Sequence, residues 1–86
     1  MNNDRVIEMI FNELRHAEEK HSGWPDDEIH AVGIMVEEAG EAMQAALDHH
    51  YRNVPLDKLI KELAQTGAMV IRAMLNLKET DINAGD

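Results

Sequence analysis

The chain has 86 residues and no cysteine, which limits it to one small domain and excludes disulfides and thiolate metal sites. Seventeen acidic residues against eight basic ones leave a formal net charge of −9, a surface that repels DNA, RNA and anionic lipid. A small phosphorylated ligand stays compatible with that charge, provided divalent cations sit between its phosphates and the carboxylates.

The amino terminus, "MNNDRVIEMI", lacks the pattern of a signal peptide, and no apolar run reaches membrane-spanning length. A cytoplasmic protein is expected. With one Trp, one Tyr and one Phe, the core must be aliphatic, drawn from Leu, Ile, Val, Ala and six Met, which suits helices. The first helix is expected over about residues 4–20, with Val6, Ile7, Ile10, Leu14 and Ala17 on one face. "HSGWPDD" breaks it through Gly23 and Pro25, and Asp26 or Asp27 can cap the second helix, expected over about residues 28–50. "YRNVP" makes the next turn, and the third helix should run over about residues 56–77. The polar tail, residues 78–86, is expected to fray. Residues 1–86 therefore read as a single all-α domain: a small antiparallel bundle of three main helices, without strands or repeats.

At about 100° per residue, Ile29, Val32, Gly33, Val36, Gly40, Met43 and Leu47 share one face of the second helix, which is expected to be its core stripe. Ala31, Ile34, Met35, Ala42 and Ala45 form a second apolar face nearly opposite, with Glu38 in its middle and Glu41 one turn on. The third helix repeats the theme. Leu56, Leu59, Ile60, Leu63, Gly67, Val70, Ile71 and Met74 make the expected core stripe, and Glu62, Gln65, Met69, Arg72 and Asn76 form the other row. A solvated face accounts for Glu37 and Asp48. It accounts less well for Glu38, since a carboxylate set among Ile, Met and Ala wants a partner. Four oxygen donors converging from two helices suit Mg²⁺ or Mn²⁺. On spacing alone, the metal site and the solvated face stay equally open.

"EEAGE" (37–41), followed some twenty residues later by "KELAQ" (61–65), resembles the EExxE…ExxD signature of the MazG-like, all-α nucleoside triphosphate pyrophosphohydrolases. The order of helices and the GWP loop before the second helix also match, over roughly residues 5–77. The resemblance implies Mg²⁺-dependent (alternatively Mn²⁺-dependent) hydrolysis of nucleoside triphosphates to the monophosphate and pyrophosphate, in nucleotide-pool housekeeping. Carried over, Glu38, Glu41 and Glu62 match metal ligands, and Glu37 the leading glutamate, which orients water or supports the ligands. Gln65 stands where the pattern has Asp. A carboxamide offers one neutral oxygen and cannot bridge two ions, so the implied alternative is a weak or inactive relative serving as a nucleotide-binding or oligomeric scaffold.

Arg72 is the first choice for a phosphate contact, with Lys61 and Asn76 beside it; a surface ion pair is the plainer role for Arg72. Trp24 reads as a wall for the nucleobase or as a plug anchoring its loop. Met35, Met43, Met69 and Met74 read as core filler. The five histidines show no zinc spacing, and a ferritin-like di-iron site would need Glu-x-x-His pairs where positions 41 and 65 hold Glu and Gln. Because three helices can hardly cover both apolar faces of the second one, a homodimer or homotetramer is expected, with its sites at or near the interface.

Overall fold

The computed structural model describes residues 1–77, so the expected frayed tail lies outside the described residues. Three helices carry the chain: α1 (Asn3–Lys20), α2 (Glu28–Arg52) and α3 (Leu56–Leu75). Among the described residues there is no strand, and no helix is long and apolar enough to cross a membrane.

Local chemistry sets the boundaries. The Asn2 side chain accepts the Arg5 N–H at 2.9 Å and opens α1. Of the two candidate aspartates it is Asp27 that caps α2, accepting the His30 N–H at 2.7 Å. Helix α2 runs through Tyr51 to Arg52, two residues further than expected, because Asn53 supplies the stop. Its φ of 57° places it in the left-handed region, which asparagine tolerates better than most residues. Pro55 then fixes the entry to α3. Helix α3 ends at Leu75, where Asn76 closes the last turn by donating its backbone N–H to the Ala73 and Met74 carbonyls.

Helix α3 is the central element. It packs against α1 on one side and α2 on the other, and α1 and α2 do not pack against each other among the described residues. Helix α2 returns antiparallel to α3 across the short turn. Helix α1 instead runs parallel to α3: Ile10 lies against Gly67, and the carbonyl of Ala17 lies by Arg72. A Cβ at Gly67 would stand 3.1 Å from Ile10 Cδ1, so the glycine lets α1 approach closely.

This arrangement inverts the expected core of α2. Ala31, Ala42 and Ala45 are buried with Ile34, Met35 and Glu38 partly covered beside them, whereas Ile29, Val32, Val36, Met43 and Leu47 are exposed. On α3 the buried row is the one holding Glu62, Met69 and Arg72. Leu56, Leu63, Val70 and Met74 are exposed, and Leu59, Ile60 and Ile71 are half-buried. The physical reason is fit. Alanine faces let α2 and α3 approach closely, and the bulkier stripe cannot reach a partner within the chain. Of the four methionines expected as core filler, Met69 is buried and Met35 half-buried, but Met43 and Met74 are exposed. On α1 only Leu14 is fully buried; Ile10 and Ala17 are half-buried, and Val6 and Ile7 are exposed.

Candidate functional site

Helix α2 delivers Glu38 and Glu41 from successive turns, and α3 delivers Glu62 from the facing helix. One carboxylate oxygen from each lies within 4.8 Å of the others. Glu62 is only 6% exposed, and its Oε2 has no hydrogen-bond partner; the Oε2 of Glu38 is likewise buried and unpartnered. The other oxygen of Glu62 meets Lys58 Nζ at 3.3 Å, one turn earlier on α3. Lysine 58 is largely exposed, so this pair is weak and easily released. Burial, then the charges of Glu41, Glu62 and Glu37, pushes the Glu38 carboxyl above its ordinary range.

This cluster sits at the edge of a pocket of about 820 Å³ between α1 and α2, floored by α3. Glu38, Lys61, Gln65, Trp24 and Arg72 all line it. Its size falls within the range of small-molecule sites, which run to about 1,000 Å³. Glu41 belongs to the cluster and not to the pocket lining, and Glu37 is exposed on the outer side of α2. Asn76 is exposed at the end of α3, outside the lining, and its amide donates to the Arg72 carbonyl at 2.7 Å.

Arginine 72 is not in a surface ion pair. It is buried, and its guanidinium donates to the carbonyls of Ala17 at 3.3 Å, Gly23 at 3.2 Å and His21. It lies 4.8 Å from the Trp24 ring centroid. These bonds satisfy the loop carbonyls of His21 and Gly23, join the His21 N–H on the Ala17 carbonyl, and tie the loop to α3. Trp24 packs against the Leu14–Ala68–Met69 core while lining the pocket, so plug and wall are one placement. Its indole N–H is buried without a partner.

Sequence reasoning missed Glu13. It enters the pocket from α1, where its Oε2 accepts from the Gln65 carboxamide at 3.5 Å. Glu13 directly precedes Leu14, the buried residue of α1, and that adjacency to the core stripe was the available signal. Comparisons with family models, curated proteins and solved structures give no match for this chain.

Proposed function

We propose that the chain is a metal-dependent nucleoside triphosphate pyrophosphohydrolase of MazG-like type. One observation carries the reading: three carboxylates from two facing helices converge within 4.8 Å, and two of their oxygens are buried without a partner. Carboxylates that repel one another, with an unpartnered oxygen buried on each of Glu38 and Glu62, are costly, and a hard divalent cation relieves both costs. The residues fit Mg²⁺ or Mn²⁺, with Glu38, Glu41 and Glu62 as carboxylate ligands. Once bound, such an ion would supply Lewis-acid activation of water and neutralise phosphate charge.

Gln65 fits as the fourth, neutral donor. Glu13 accepts hydrogen bonds and, when ionised, donates none, so the NH₂ end of the carboxamide turns to it. The amide oxygen is left for the side of the pocket that Glu38 lines. Glu37 orients the attacking water or supports its neighbour Glu38 from outside. With Arg72 Nη1 and Nη2 committed to carbonyls, we assign the phosphate contact to Lys61, and to Arg72 the holding of Trp24 and its loop as a pocket wall. Nucleoside triphosphate and water then give the monophosphate and pyrophosphate, in a protein we place in the cytoplasm.

The test is pyrophosphate release from a panel of nucleoside triphosphates with Mg²⁺ or Mn²⁺. Turnover that is lost in Glu38→Gln and Glu62→Gln is the expected result. Metal and nucleotide binding without turnover would favour the second reading, a non-catalytic nucleotide-binding module, which the neutral Gln65 would suit.

A further inference from the structure

Glu62 is the most buried of the three clustered glutamates, and among the described residues its carboxylate has one partner, the ammonium of Lys58 at 3.3 Å. Neither Glu38 nor Glu41 is ion-paired among the described residues. Helix chemistry gives no reason for the Lys58 pair. Lys58 stands in the first turn of α3, where the helix dipole disfavours a cation. It also precedes Glu62 by four residues, the less favourable order for a lysine–glutamate pair on a helix. What draws the lysine is the charge that Glu38, Glu41 and Glu62 gather within 4.8 Å. Its side chain stays largely exposed, so the ammonium reaches the buried carboxylate from the solvent side and can leave by the same way.

We infer that Lys58 is a built-in competitor for the cluster. It neutralises Glu62 while the site is empty, yields to a divalent cation, and so sets the concentration at which metal binds. The inference rests on the reading of the cluster as a cation site and adds the regulation of that site. A tethered ammonium one turn away acts at high effective concentration. Its single charge matches that of Na⁺ or K⁺ and is outmatched by the two charges of Mg²⁺ or Mn²⁺. It therefore holds the cluster against monovalent ions and loses it to divalent ones. The competition is reciprocal: whatever Lys58 contributes to the empty protein is subtracted from the apparent affinity of the metal. Lys61, one turn on, lines the pocket but has no ion pair among the described residues, which makes it the internal control.

The test needs no turnover: wild type, Lys58→Met, Lys58→Arg and Lys61→Met are titrated with Mg²⁺ alone in a calorimeter. Lys58→Met should bind about fivefold tighter than wild type, and Lys58→Arg, which keeps the charge, no tighter. Lys61→Met removes the same charge from an unpaired lysine and should gain less than about twofold. Thermal melting gives a second readout, because a lysine that merely braced α3 would stabilise the protein with or without metal. Lys58→Met should melt below wild type in chelator and lose that deficit in saturating Mg²⁺. Equal or weaker binding by Lys58→Met, an equal gain in Lys61→Met, or a deficit that persists in saturating Mg²⁺ overturns the proposal and leaves the metal reading in place. Absence of Mg²⁺ binding in wild type and every variant overturns both.

Discussion

One side of α3 carries Glu62, Gln65, Met69 and Arg72 and faces into the chain, while the opposite side carries Leu56, Leu63, Val70 and Met74 and faces out. The inward side holds polar groups where apolar ones would cost less. The outward side holds apolar groups where polar ones would cost less. Alanines explain how such an arrangement packs, since Ala64 and Ala68 of α3 and Ala42 and Ala45 of α2 allow close approach. They do not explain why carboxylates were placed between them. We propose that a cation completes the inward side; the outward side leaves its apolar groups exposed.

The largest effect should come from removing the polar group that the inward side satisfies fully. Arg72→Met keeps much of the volume but deprives the carbonyls of His21 and Gly23 of their side-chain donor and leaves Ala17 only the His21 N–H. Loss of several buried hydrogen bonds and the contact with Trp24 should cost about 3 kcal/mol in urea unfolding. A loss below about 1 kcal/mol would mean that the end of α1 is held by other contacts.

A smaller effect is expected at Gln65. Restoring a carboxylate with Gln65→Asp should tighten Mg²⁺ or Mn²⁺ binding on the order of tenfold, about 1.4 kcal/mol. Isothermal titration of both proteins measures it. Weaker binding by the Asp variant, its fold intact, would show that the carboxamide held by Glu13 is a working part of the site. Smaller still is Glu37→Gln, which should leave metal affinity within about twofold, since Glu37 lies outside the cluster. A tenfold loss of affinity in the same titration would put Glu37 among the ligands.

The helices were legible because breakers and caps are local: Gly23, Pro25, Asp27 and Pro55 mark the two loops, and every helix boundary falls within two residues of its expected place. The convergence of Glu38, Glu41 and Glu62 was legible from their spacing on two helices. Which apolar face of α2 turns inward was not. Periodicity finds two faces but does not rank them, and the larger side chains made the wrong one look like the core. Arg72 was read from its row alone, because its partners are backbone carbonyls some fifty residues away, which leave no trace in side-chain pattern. Glu13 escaped for the same reason, since only tertiary packing brings α1 to Gln65.

The central claim is that the inward carboxylates are a cost that a cation removes. Glu38 has its carboxyl raised above the ordinary value of 4.5, chiefly by burial. In the metal-free protein that cost is absent below the unfolded value and grows as pH rises through the folded one. Thermal melting of wild type and Glu38→Gln at neutral pH, with and without Mg²⁺ or Mn²⁺, tests this directly. Without metal, Glu38→Gln should melt higher than wild type, by a margin that shrinks towards pH 4.5. Metal at a hundred times its Kd should stabilise wild type by about 2.7 kcal/mol, a rise of several degrees, and leave the variant nearly unmoved. An equal rise in both proteins would contradict the account.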